Sequence, residues 1–290
     1  VAVALYKPRR APCGHKKRSF CDRPLLLLQF KYICIRLSHA KLHNKPGYKK
    51  MDETIKLSIE DNIAFITLCD PKGLNLENLE MVKLLSQKQD ELAANNQVRV
   101  AVLRSSVKNF SAGADLAFLK AVNSGFIKSN LNFLQRAFSR FQEIPIPVIC
   151  AINGICYGGG LELALSCDIR IASEDAKFAM PEARFGFSAD QTGTTRLPKL
   201  LGPGQGKRMI LLCDEIDAAE AYRIGLVEYL VKPEELEGQT LKLAKRMANL
   251  PPSALRFGKI GVNVAAEGNT YAGLMFEQAQ SIYCFGTEDK

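Results

Sequence analysis

Histidine is missing from most of this chain. Its three histidines, His15, His39 and His43, all lie within the first 50 of 290 residues. Chemistry carried by the rest must run without His, which excludes Ser-His-Asp and Cys-His triads and most zinc sites. No CxxC pair occurs: the nine cysteines stand singly at 13, 21, 34, 69, 150, 156, 167, 213 and 284. An odd count without framework spacing predicts reduced thiols, many in core strands, rather than disulfides. The glycine-rich stretches hold no GKS/T and no GxGxxG that opens a nucleotide fold. The apolar run LLLL at 25–28 falls far short of the roughly 20 residues a bilayer span needs, so no membrane partner is expected. Low-complexity segments and solenoid periods are absent too.

Acidic residues are scarce at one end only. Residues 1–50 hold 13 Lys and Arg against one acid, Asp22, whereas the remainder has 26 basic and 29 acidic residues. The formal net charge of +9 therefore belongs to a leader, and the net of −3 elsewhere gives no electrostatic reason to expect nucleic acid. Such a leader suits a mitochondrial transit peptide, which would place the protein in the matrix. Yet the chain begins with Val, the leader has several Pro and Cys, and Met51 stands just before the first clear strand. The expectation is an upstream extension at 1–50, a native start at Met51 and a cytoplasmic protein.

What is present alternates. IKLSIE and IAFITL flank Asp61-Asn62, a hairpin signal. A helical segment at 76–95, the buried strand VRVAVLR at 98–104, a helix near 127–142 and the strands PVICAI (147–152) and DIRIA (168–172) follow. Strand and helix in turn define an α/β fold. Pro203 is read as beginning a further helix, and Asp217-Ala-Ala-Glu220 has a capping-box pattern before Gly225 stops it. After LVEYLV (226–231) the pattern is helical to the end, broken at Pro251-Pro252. The domain reading is a core at 51–250 and a C-terminal helical region at 251–290.

The stretch AINGICYGGGLELALSCDIRIAS, residues 151–173, puts one glutamate, Glu162, among alanines and leucines. Glycines 158–160 follow a strand and open a helix, where free N–H groups meet the positive end of the helix dipole. Such a turn can hold a phosphate, stabilise an oxyanion, or simply start a helix with a favourable first-turn acid. NFSAGADLAF (109–118) supplies a second Gly/Ala-rich turn after a strand, and Glu182 and Asp190 follow downstream.

Together the motifs PKGLN (71–75), FSAGADL (110–116), PVICAINGICYGGGLELALSCDIRIAS (147–173), MPEARFGF (180–187) and DAAEAYRIGLVEYLV (217–231) resemble the crotonase superfamily of enoyl-CoA hydratases and isomerases. The resemblance runs from about Thr54 to the end. It implies a spiral of ββα units with a helical C-terminal region, a homotrimer or dimer of trimers, and an acyl-CoA thioester substrate. It implies no metal and no cofactor beyond the coenzyme A of the substrate. By motif match the oxyanion donors fall on Ala114 and Gly159. Glu162 and Glu182 match the two acids that add water across a trans-2-enoyl thioester. Substrate and coenzyme A positions match Lys72, Gly73, Leu74, Ala112, Asp115, Leu116 and Gly158.

Some positions depart from the hydratase pattern. Asp190 matches an acid of the dienoyl-CoA isomerases, which would shuttle protons with Glu182 along a conjugated chain. The lysine usual after AGAD is Ala117, leaving Lys72 and Lys120 as phosphate candidates. Family members continue past FGTEDK through another helix, so a shortened tail is expected. RNA binding on the same fold is disfavoured because the helix at 76–96 sets Lys83 and Lys88 against Glu77, Glu80, Asp90 and Glu91.

Overall fold

The computed structural model describes residues 54–287. The leader and the Met51 start lie outside the described residues. In chain order the strands are β1 (Ile55–Glu60), β2 (Ile63–Leu68), β3 (Val100–Ser105), β4 (Val148–Ile152), β5 (Ile155–Tyr157), β6 (Ile169–Ser173), β7 (Lys177–Ala179), β8 (Ile216–Asp217) and β9 (Tyr229–Val231). The helices are α1 (Leu79–Ala93), α2 (Leu116–Ala121), α3 (Ser124–Glu143), α4 (Gly159–Ala164), α5 (Gly193–Leu212), α6 (Ala218–Arg223), α7 (Leu236–Ala248), α8 (Pro252–Glu267) and α9 (Thr270–Phe285).

β1 and β2 form the expected antiparallel hairpin, with Asp61 and Asn62 both at positive φ, 50° and 63°. That two-residue turn matches the right-handed twist of its strands. From β2 onward pairing is parallel, giving a six-stranded sheet in the order β1-β2-β3-β4-β6-β9. A parallel sheet is covered on both faces, which explains why β2 and β4 are buried along their whole length. One face packs on α1 and α3 through Leu85, Leu92, Phe138 and Phe141, and the other on α7 through Ala244 and Ala248.

Leaving β4, the chain turns sharply at Gly154 (φ 55°), where a side chain would strike the Lys108 carbonyl at 2.5 Å. It enters a second, three-stranded sheet in the order β5-β7-β8. This step from one sheet to the other delivers Gly158 and the start of α4 beside the loop that follows β3.

Three elements differ from the sequence reading. A helix does begin at Pro203, after the break at Gly202 (φ 79°, ψ 160°), but α5 as a whole starts earlier, at Gly193, and its first half was not expected. Its first half, GTTRLPKLLG, interrupts its leucines and basic residues with Gly193, two threonines and Pro198, and is tied down by contacts such as Arg196 to Gln142 and the buried Leu197. Within LVEYLV, to which no element was assigned, Tyr229–Val231 pairs as a strand. The short helix α2 was not expected; Asp115 caps it by accepting the Ala117 N–H at 2.8 Å. The Asp217 cap is as expected, accepting the Glu220 N–H at 2.8 Å.

α8 and α9 pack on each other and bury no residue of either helix. Val262, Tyr271 and Ile282 are each at least 70% exposed. Polar anchors tie α8 to the core: the Lys259 side chain, 4% exposed, meets Asp168 at 2.8 Å and the carbonyls of Phe141 and Ile146, and Asn263 donates to the Gln142 carbonyl at 3.3 Å.

Candidate active site

The loop after β3 owes its shape to Asn75. Its side-chain amide donates to Ser105 Oγ and to the Asn109 and Phe110 carbonyls, each at 2.9 Å. Ala112 N–H then donates to Leu74 O, and Ser111 pairs with the β5 backbone on both sides of Cys156. Gly113 sits at φ 81°, and a β-carbon there would lie 2.7 Å from the Tyr157 carbonyl and 3.5 Å from Gly159 N. Only glycine lets the two turns approach so closely.

On this frame the two proposed donors are free. Glu77 N–H donates to Gly113 O and Asp115 N–H to Glu77 O, which passes over the Ala114 N–H between them. Gly159 opens α4, where the first N–H groups have no intrahelical acceptor. Among the described residues neither Ala114 N–H nor Gly159 N–H has a hydrogen-bond acceptor. Gly113→Ala is expected to cost at least about 1–2 kcal/mol, the penalty of the left-handed region for an L residue. It should also cut thioester turnover by parting the two donors; denaturant melts and initial rates check both.

Three carboxyls crowd this turn, each against the bare α-carbon of a glycine. Glu182 Oε1 would stand 2.8 Å from a β-carbon on Gly158, Glu77 Oε2 1.8 Å from one on Gly159, and Glu162 Oε1 2.8 Å from one on Gly193. Glu162 is 2% exposed and accepts the Gly193 N–H at 2.7 Å. Burial pushes its pKa up to about 8 against that hydrogen bond, with Glu182 and Asp190 adding to the rise. Burial likewise raises Glu182, with Asp190 adding, and its Oε2 has no partner. Asp190 is raised by burial and lines a cavity of about 440 Å³ with Gln135, Thr192 and Arg196. Glu162, Glu182 and Asp190, predicted separately, are thus brought within electrostatic reach of one another.

The remaining sequence-predicted positions lie on two joined segments. Lys72 is exposed, Gly73 takes φ 75°, and Leu74 is bonded to Ala112, while Asp115 and Leu116 start α2. Lys120 is exposed in the last turn of α2.

Glu77 is where the sequence reading fails. It was counted among the acids of a helix at 76–96, but α1 starts at Leu79 and Glu77 is buried at the turn. The missed signal is Asn78, whose side chain caps α1 by accepting the Met81 N–H at 2.9 Å. An N-cap at 78 leaves position 77 outside the helix. Among the described residues no cluster of His, Cys, Asp or Glu has metal-site geometry, and no helix is long and apolar enough to cross a membrane.

Paired backbone donors beside buried, proton-holding carboxyls suit an enzyme that draws charge onto a carbonyl oxygen while protons move nearby. The chain belongs to the enoyl-CoA hydratase/isomerase family, whose model matches residues 58–290. It is 36% identical over 241 residues to a crotonyl-CoA hydratase of Syntrophomonas wolfei, spanning 82% of this chain and 92% of that protein. A short-chain-enoyl-CoA hydratase of Clostridium acetobutylicum is 35% identical over 235 residues, 81% of this chain and 90% of the relative. The crystal structure of an enoyl-CoA hydratase from Bacillus anthracis superposes with a TM-score of 0.78 at 30% identity, covering 81% of this chain and 92% of that one. The architecture is the crotonase fold, mixed α/β with a helical C-terminal region, and the chain is an enzyme of that family.

Proposed function

We propose that this enzyme adds water reversibly and syn across the double bond of trans-2-enoyl-CoA thioesters, giving 3-hydroxyacyl-CoA. The observation that carries the reading is the pairing of Glu162 and Glu182 around the Gly158-Gly159 turn, both with raised pKa. In the reaction, Ala114 and Gly159 N–H groups hold the thioester oxygen and take up the charge of the enolate. One carboxyl, ionised, removes a proton from water as its oxygen bonds to the β-carbon. The other, protonated, gives its proton to the α-carbon. The pair begins and ends with one proton, which raised and interacting carboxyls keep between them near neutral pH. Lys72 and the segments at 73–74 and 112–116 would carry the coenzyme A end.

Asp190 supports a second reading, isomerisation of 3,5-dienoyl to 2,4-dienoyl thioesters, because it raises both Glu162 and Glu182. Parallel assays separate the two: enoyl absorbance is lost on crotonyl-CoA, and conjugated absorbance grows on a 3,5-dienoyl-CoA. Hydration is expected to dominate. Asp190→Asn should spare hydration and abolish any isomerisation; equal loss of both would refute separate roles. The exposed apolar faces of α8 and α9 support assembly as a trimer or dimer of trimers. Sedimentation at the mass of one chain would refute it.

A further inference from the structure

Hydration by Glu162 and Glu182 gives Glu77 no task, yet Glu77 is 2% exposed and touches both oxyanion turns. Its backbone is bonded to Gly113 and Asp115, on either side of Ala114. Its side chain reaches the other turn, with Oε2 packed so close to Gly159 that a β-carbon there would be 1.8 Å away. That oxygen is buried and has no hydrogen-bond partner. Oε1 has the Ser111 hydroxyl at 3.4 Å, but this hydroxyl has one proton and a nearer acceptor, the Asn75 carbonyl at 2.9 Å.

The surroundings favour the protonated acid. Among the described residues no lysine, arginine or backbone N–H bonds the carboxyl. The titratable groups facing it are Glu162 from α4, Glu182 from the turn after β7, and Cys156 from β5. Burial, reinforced by Glu162, holds Glu77 well above the usual carboxylate range. A neutral carboxyl carries one O–H donor, and an unsatisfied buried polar atom calls for a reason.

Taking hydration as the reaction, we propose that Glu77 is a third donor of the oxyanion hole, its neutral O–H joining the Ala114 and Gly159 N–H groups at the thioester oxygen. The thioester oxygen is the acceptor that the Glu77 O–H lacks in the free protein. A carboxylic acid kept protonated by its pocket is an effective donor to a developing enolate. The role also accounts for an acid being held at this turn, where leucine would pack without an orphaned oxygen.

The test compares Glu77→Leu, which fills the space without a donor, and Glu77→Gln, which keeps one. Two readouts are taken: kcat/KM for crotonyl-CoA hydration, and affinity for acetoacetyl-CoA, whose enolate loads the hole without turnover. Glu77→Leu is expected to lose about a hundredfold in kcat/KM, the low end for one donor of such a hole, and to bind acetoacetyl-CoA correspondingly less well. Glu77→Gln is expected to stay within about tenfold of the parent in both. Parent-like values in Glu77→Leu, or a Gln variant as weak as Leu, would overturn the proposal and make Glu77 a packing residue. Glu77→Met, also without a donor, replaces Leu should that variant fail to fold. If the parent does not hydrate crotonyl-CoA but acetoacetyl-CoA affinity still ranks parent, Gln, Leu, the third donor stands and the hydratase reading falls.

Discussion

Glu162→Gln lowers the turnover of enoyl thioester hydration by at least about a hundredfold, and Glu182→Gln does the same. Glutamine keeps the volume of each side chain, and at position 162 its carbonyl oxygen can still accept the Gly193 N–H at 2.7 Å. The fold therefore survives while the proton is lost from the exchange. Because neither carboxyl is expected to bind the coenzyme A end, the loss should fall on kcat, with KM little changed. The double variant should be scarcely worse than either single one, since the two groups work as a unit. Steady-state rates on crotonyl-CoA, with a thermal melt to show each variant folded, decide the matter. Near-normal kcat in either variant would remove that residue from the mechanism.

The second large effect concerns stability. Burial raises the Glu162 pKa in the folded state from 4.5 to about 8. A group whose folded pKa lies above its unfolded one contributes stability that is complete below the unfolded value. That contribution is lost as pH rises through the folded one. The folded protein should therefore weaken as pH climbs across the window from 4.5 to about 8. The change from this group is on the order of 5 kcal/mol, about 1.4 kcal/mol for each step in pKa. Glu182, Asp190 and Glu77 are raised in the same direction and add to the trend. Glu162→Gln carries no ionisation, so it should lose much less stability than the parent between about pH 5 and about pH 9. Denaturant titrations of both proteins at the two pH values measure it. Parallel losses would mean that Glu162 is not held neutral by the fold. A site that keeps protonated carboxyls out of water thus sacrifices stability on the alkaline side for its chemistry.

Much of this architecture was legible because its signals are local. Asp61-Asn62 between two alternating runs is a hairpin by turn chemistry alone, and three glycines after a strand mark a helix mouth. The ordered motifs then singled out the two glycine-rich turns and the acids Glu162, Glu182 and Asp190, which the fold brings within electrostatic reach of one another. The remainder depends on contacts distant in sequence. Glu77 reads as one more acid near an acidic helix, and only the bridge to Gly113 and Asp115 buries it. Gly193 looks like an ordinary turn residue, yet its N–H is spent on Glu162, 31 positions away. In the first half of α5 the helix formers are interrupted by Pro198 and bounded by Gly193 and Gly202, which read as turn residues. The glycines at 158, 159 and 193 were visible as glycines, but that each clears space for a carboxyl appears only when the chain is folded.

The central claim is that water is added, with its two parts delivered by the two glutamates to adjacent carbons on one face. The most direct test incubates the enzyme with crotonyl-CoA in heavy-oxygen deuterium oxide and analyses the product by mass spectrometry and proton coupling. The account predicts 3-hydroxybutyryl-CoA with one heavy oxygen on the β-carbon and one deuterium on the α-carbon, added syn. Deuterium entering without oxygen, or oxygen and deuterium on opposite faces, would contradict it.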